Sequence, residues 1–330
     1  MSPVGVVAAL LSALCYGVTP ACARRSIRLL GFARANAWRL VVALVVMAAL
    51  AFTLGRGVGD EAGTFALAGA VGFGVGGFAM FRALPLLGAP LSSLLVETTA
   101  AVAAGTLAWM WFGDAVSVTA ATFSLVMLVG VVVGLLPYVR SGEKHPRLGL
   151  GVAFALLSAL AQAFSGVLSR KALLAIQHSA AARGGGRVSS RFDVVFSASF
   201  DRLLGGLPVA LALLALAVLL AGRAEWARAA LTPAAQGAER GAEWTTPGPR
   251  LPDAPWLWVG ANALFGPVLG VTSLVWALQY LQPGVAQAIA ALAPLIAIPS
   301  ARWLDGYRPP ARFGVGVVVA VTGLAGLALS

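Results

Sequence analysis

Charge is scarce in this chain. Of its 330 residues only 11% are Asp, Glu, Lys or Arg, while 59% are hydrophobic. Soluble domains carry roughly 25% charged residues. Mean hydropathy is +0.89. A chain this apolar cannot cover its surface with polar groups in water, so its solvent is lipid. Nucleic-acid binding, a secreted disulfide scaffold and intrinsic disorder are excluded at this step. Cysteine is nearly absent: Cys15 and Cys22 both fall in the first apolar run and read as small core residues. Histidine is equally rare. His145 and His178 fall in expected loops, so no histidine metal site or catalytic dyad is available inside the membrane. No GxxxxGK[ST] phosphate loop occurs. No cofactor or metal is expected, and an enzyme would have to draw on Glu97, Asp114, Asp201, Asp305 and arginines alone.

What the chain has in abundance is long apolar runs. A membrane helix needs about 20 mostly apolar residues. Ten segments qualify: 4–23, 37–54, 64–81, 90–111, 119–138, 149–168, 195–221, 256–276, 284–303 and 312–329. They are continuous rather than alternating, which predicts helices and not a barrel. Ala21-Cys22-Ala23 looks like a small-residue cleavage site, but no basic region precedes it and nine more spans follow. A retained first helix is expected. Residues 170–194 and 222–255 read as long loops.

The chain also repeats itself. Ala9-Leu10-Leu11-Ser12-Ala13-Leu14 recurs as Ala155-Leu156-Leu157-Ser158-Ala159-Leu160, and Arg24-Arg25 returns as Arg170-Lys171. Arg39-Leu40 matches Arg202-Leu203, Ala83-Leu84 matches Ala277-Leu278, and Trp109 matches Trp303. Gly130-Val-Val-Val-Gly134 matches Gly316-Val-Val-Val-Ala320. Each half holds five spans, an odd number, so the second half enters the membrane inverted. The predicted fold is an all-α polytopic membrane protein, ten transmembrane helices as two inverted five-helix repeats, at 1–141 and 148–330. Inverted repeats of this kind are a transporter architecture with a site at the repeat interface.

At these residues the chain resembles the drug/metabolite transporter superfamily, in its ten-helix branch with two EamA-type repeats. The stretches that carry the resemblance run from Phe81-Arg-Ala-Leu-Pro-Leu-Leu-Gly-Ala-Pro and from Trp276-Ala-Leu-Gln-Tyr-Leu-Gln-Pro-Gly to Pro294-Leu. Phe112-Gly113-Asp114 with Gly130-Val131 is similar to the family's Gly-Glu…Gly pattern, with Asp replacing Glu; Leu304-Asp305 replaces Gly-Glu in the second half. The resemblance implies secondary active transport without ATP across an inner membrane. It implies export of amino acids, other metabolites or toxic compounds, or carriage of nucleotide sugars or sugar phosphates. It also implies a central cavity lined by the first, third and fourth helices of each repeat, with the fifth helices peripheral. A flippase for a lipid-linked sugar is the nearest alternative.

Glu97 is the sharpest signal, about 10 Å inside its span at 1.5 Å per residue. An ionised carboxylate at that depth costs at least a few kcal/mol unless paired or hydrated, so it should face a cavity. It reads as a proton-coupling group or a cation subsite; the plainer reading is an ion pair with Arg39 or Arg82. Polar stripes on apolar spans supply the other substrate-binding candidates: Tyr16 and Thr19 in span 1, Ser93 beside Glu97, Gln162 and Ser165 in span 6. Asn262, Trp276, Gln287 and Pro294 complete the expected pocket, Pro294 by freeing a backbone carbonyl. Arg39 and Arg202 read first as interface anchors, with Arg202 paired to Asp201 or Asp193; the other reading is gating or contact with an anionic substrate. Gly72-Phe-Gly-Val-Gly-Gly77 reads as close helix packing rather than a dinucleotide site. Gly130 to Gly134 is a GxxxG, one reading of which is a homodimer contact.

Lys and Arg are unevenly divided between the two membrane faces. Fifteen fall on the side of the 1–2 and 3–4 connections and six on the other, which by the positive-inside rule puts both termini outside the cytoplasm. The resemblance implies the reverse.

Overall fold

A computed structural model describes residues 2–113, 117–140, 148–182, 192–233, 254–297 and 311–329. Asp114, Trp303 and Asp305 lie outside the described residues, as does the boundary between the repeats. The described part is helical: α1 (Pro3–Leu30), α2 (Phe32–Thr53), α3 (Ala62–Leu87), α4 (Ala89–Phe112), α5 (Val118–Arg140), α6 (Leu148–Ala182), α7 (Phe192–Leu220), the short α8 (Glu225–Leu231), α9 (Pro255–Ala277), α10 (Pro283–Ala297) and α11 (Ala311–Leu329). Seven of these are long and apolar enough to cross a membrane alone, and α5, α10 and α11 contain shorter apolar helices. Together they are the ten expected spans, five per repeat.

Several boundaries differ from expectation. The α1–α2 connection is a single residue, Gly31, whose φ of +81° a side chain would resist. Its amide still reaches the Ile27 carbonyl at 2.8 Å, so α2 starts at Phe32 and carries Asn36 within its first turns. The expected loop 170–194 is helical as far as Ala182, and α7 begins at Phe192. Within 222–255, α8 seats Ala227 and Ala230 beside the Gly31 turn.

The inversion is visible in who packs on whom. α1 packs on α9 and α6 on α3; α10 packs on α1 and α4 on α6; α2 pairs with α7 and α5 with α11. Each contact maps onto another, or onto itself, when the repeats are exchanged. Close approach depends on glycine. A Cβ on Gly69 would collide with the backbone of Arg202, and one on Gly205 with the backbone of Ala66. These two glycines let α3 and α7 cross backbone to backbone.

The GxxxG reading needs correction. Gly130 faces Gly316 and Ala320 of α11 inside the same chain. The small-residue motif therefore seats the two fifth helices on each other across the pseudo-two-fold axis, and Gly130 is used up within the monomer.

Both third helices contain a π-helical turn, Ala70–Gly76 in α3 and Leu264–Gly270 in α9. The Ala83-Leu84/Ala277-Leu278 register superposes these two turns residue for residue. In α9 Pro267 supplies the cause, since it removes one helical N–H. In α3 the run of glycines removes the side chains that would resist widening. π turns concentrate at functional sites.

Candidate functional site

The two π turns face each other across a cavity of about 110 Å³ in the centre of the bundle. Its lining follows the repeat symmetry. Tyr16 and Thr19 on α1 have Gln162 and Ser165 on α6 as repeat partners, Arg39 has Arg202, and Gly72 has Gly266, and all eight line it. Ser93 and Glu97 come from α4, and Ser158 from α6.

The symmetry fails at both ends of the cavity. On one side the lining runs along α1 to Ala23 and along α3 to Leu84, toward the Gly31 and Gly88 turns. The repeat counterparts, Ser169 and Leu278, do not line it. Ser169 Oγ accepts from Arg202 Nη1 at 2.9 Å, and the Leu278 carbonyl accepts from Arg170 Nη1 at 2.6 Å. At that second end the α2–α3 loop is held down by three residues one turn apart on α7. Asp193 Oδ2 accepts from Arg56 Nε at 2.7 Å, Ser197 Oγ from the Arg56 amide at 2.8 Å, and Asp201 Oδ2 from the Gly59 amide at 3.0 Å. Among the described residues the cavity lining therefore extends toward the Gly31 and Gly88 turns, while these contacts pack the opposite end.

Glu97 is 8% exposed and sits where three helices meet. Its carboxylate accepts from Gln162 Nε2 of α6 at 3.3 and 3.4 Å and from Gln287 Nε2 of α10 at 3.1 Å. Both partners belong to the other repeat. The expected ion pair with Arg39 or Arg82 does not form among the described residues. Arg39 instead donates Nε and Nη2 to Asn36 Oδ1, at 3.0 and 2.9 Å, and stacks on Phe81. Arg82 lies over the Phe32 ring, 5.1 Å from its centroid.

The arginines of the second helices are also corrected. Arg39 and Arg202 do not snorkel to the interface; they are 7% and 4% exposed and line the cavity. Arg202 is not paired with Asp201 or Asp193. Its partners are Ser169 and Ser165, each at 2.9 Å, while Asp193 and Asp201 serve the α2–α3 loop. The reason is helical phase: Asp201 and Arg202 are consecutive and point apart, one outward to the loop and one inward.

Of the other expected site residues, Gln287 reaches the cavity through Glu97. Asn262 is fully buried beside Gly266, behind the lining. Trp276 stands outside, its ring 4.9 Å from that of Phe192. Pro294 does not line the cavity, but α10 bends at Ala291–Leu292 just before it, and the adjacent Ala293 does line it. Pro294 has no N–H for the Ala290 carbonyl, which accounts for the bend. Asn36, Phe73 and Phe81, which orient the two guanidiniums, were not among the expected residues. Asn36 precedes Arg39 by three positions, a helical neighbour once α2 is known to begin at Phe32. Among the described residues no group of three metal-ligating side chains gathers.

Comparison with known proteins agrees with this architecture. One solved structure, described only as the crystal structure of a protein, superposes with a TM-score of 0.65 at 16% identity, over 100% of this chain and 98% of its own. That likeness is one of fold. No curated protein matches. The family model of the EamA-like transporter family matches residues 3–136 and 242–329, which take in all of the first four helices and the last three. Together those regions take in more than half of the chain, and the chain belongs to the EamA-like transporter family.

Proposed function

We propose that this chain is a secondary active transporter, an exporter in an inner membrane, for a small polar or amphipathic metabolite such as an amino acid, with Glu97 carrying the coupled proton. One observation carries the reading: among the described residues, a buried carboxylate at the inter-repeat cavity is held only by neutral amides of the opposite repeat. A carboxylate held by neutral donors can exchange its proton without breaking an ion pair. Because the donors sit on α6 and α10, its protonation state bears on how tightly the halves join. The substrate-binding set on this reading is Tyr16, Thr19, Ser93, Glu97, Gln162 and Ser165 in the cavity, with Asn262 and Gln287 behind it. Arg39 and Arg202 belong to the same set, whereas Trp276, Pro294, Arg82 and Asp201 act structurally.

The test is thermal unfolding of the detergent-purified protein against amino acids, purines, sugar phosphates, nucleotide sugars and lipophilic cations, at pH 6 and pH 8. A ligand at a hundred times its Kd adds about 2.7 kcal/mol. Stabilisation by one soluble class, lost in Glu97→Gln, is the expected result. Stabilisation by polyprenyl-phosphate sugars alone would replace this reading with a lipid-linked flippase.

A further inference from the structure

Two guanidiniums share the cavity, and neither meets a carboxylate among the described residues. Arg39 spends Nε and Nη2 on the single Asn36 Oδ1. Arg202 donates to two serine hydroxyls, and its Nε has no partner. Each lies over an aromatic ring, Phe81 at 4.5 Å and Phe73 at 5.4 Å from the centroid. Amides, hydroxyls and ring faces hold a cation in position but do not cancel its charge. A buried charge without a counter-charge is costly, and an anion relieves that cost.

The two arginines are not in equivalent states. Each rests against the glycine of a π turn from the opposite repeat. A Cβ on Gly72 would stand 3.7 Å from Arg202 Nη2, and one on Gly266 would stand 3.5 Å from Arg39 Nη1. At Gly72 the space is taken. Ser165 Oγ would lie 2.5 Å from that Cβ, and it donates to the Ala68 carbonyl at 2.6 Å. At Gly266 the corresponding hydroxyl, Thr19, turns back to the Cys15 carbonyl and offers only its methyl. The counterpart of Ala68 is Asn262, whose Nδ2 and Oδ1 are both buried without a partner, with Oδ1 3.5 Å from the same point. The Gly266 face therefore combines Arg39 Nη1 with an unspent amide over backbone that carries no side chain.

The geometry points to a carboxylate subsite at Gly266, in which Arg39 Nη1 holds the carboxylate of a small amino acid and the Asn262 amide, turned so that Nδ2 replaces Oδ1 at that face, donates to it from behind. Arg202 with Gly72 is its repeat-related counterpart for the oppositely open state. The inference rests on the transport reading above and names the group by which the substrate is recognised. A carboxylate matches the planar fork of a guanidinium. In the same cavity Glu97 faces the ammonium end, and a cavity of about 110 Å³ suits a small amino acid better than a nucleotide.

The experiment uses the full chain in proteoliposomes. Uptake of labelled L-alanine, L-serine and L-valine is measured in competition with their amides, which keep the amine and lose the negative charge, and with inorganic phosphate. The acids are expected to compete at least about tenfold better than the amides, a difference of 1.4 kcal/mol. Arg39→Gln should bring that ratio close to one, and Asn262→Leu should lower it. Arg39→Lys should keep part of it, which separates lost charge from lost fold. Arg202→Gln should keep the preference in binding and slow turnover. Equal competition by acids and amides in the unmodified protein would overturn the subsite and leave the transport reading standing. Stronger competition by phosphate would overturn it as well. Uptake of none of the three amino acids would overturn the amino-acid reading, and the subsite with it.

Discussion

The amide of Gln287 on α10 donates to the carboxylate of Glu97 on α4 at 3.1 Å, and so ties one repeat to the other at the wall of the cavity. The repeat counterpart of Glu97 is Ala291, where α10 bends. Glu97, the one acidic group lining the cavity among the described residues, thus lies against a helix that bends there.

Glu97→Gln should fold and lose coupling. The substituted amide still accepts a hydrogen bond from Gln162 or Gln287 but has no proton to exchange. Uptake with and without an imposed pH gradient should become equal, and a gradient response that survives would exclude the proton role. Glu97→Ala should instead destabilise, because the buried Gln287 amide loses its acceptor at about 1–3 kcal/mol, while the part-buried Gln162 amide also loses one. A lowered Tm in Ala but not in Gln checks the distinction.

The α3–α7 crossing should tolerate no side chain at Gly69 or Gly205. An added Cβ meets backbone that cannot rotate away. Either alanine substitution should cost about 2 kcal/mol or more, read as a lower Tm in detergent. Gly260→Ala on α9 meets nothing within 4 Å and should leave Tm unchanged or raise it.

The Arg56–Asp193 contact should act as part of a closure and contribute little to stability. Its side chains are 38% and 28% exposed, so the pair is worth about 1 kcal/mol at most. Asp193→Arg should raise thiol labelling of Ser199→Cys, at a site 1% exposed, up to about fivefold. The double exchange with Arg56→Asp should restore protection. Labelling that is indifferent to both would remove the closing role.

Gly130→Leu should lower Tm without changing oligomeric state. The residue packs on Gly316 and Ala320 of its own chain. Light scattering of the purified protein before and after the substitution separates this from a dimer contact.

Both termini should lie in the cytoplasm. The excess of arginine on the other face includes side chains spent within the bundle: Arg25 lies 4.4 Å from the Trp258 ring centroid, and Arg82 stacks on Phe32. Such residues report packing as well as loop charge, and the expectation follows the orientation that the family resemblance implies. An alkaline-phosphatase fusion at Ser330 should be inactive; an active one would reverse the orientation.

Much of this was legible in the sequence. Ten apolar runs must be helices, because lipid offers the backbone no partner, and an odd number per repeat fixes the inversion. Glu97 stood out because a carboxylate inside such a run is expensive. The polar stripes on α1 and α6 marked four lining residues, because spacing along a helix determines which side chains share a face. What the sequence could not decide is which way each face turns. Arg39 and Arg202 sit near span ends, where snorkelling is the default, and only the packing of α2 and α7 on the opposite repeat's π turns brings them inward. The partners of Glu97, the use of Gly130 within the chain and the closure of one end depend on contacts between residues at least 65 positions apart. Periodicity within a segment carries no information about those contacts, so the tertiary structure alone decided them.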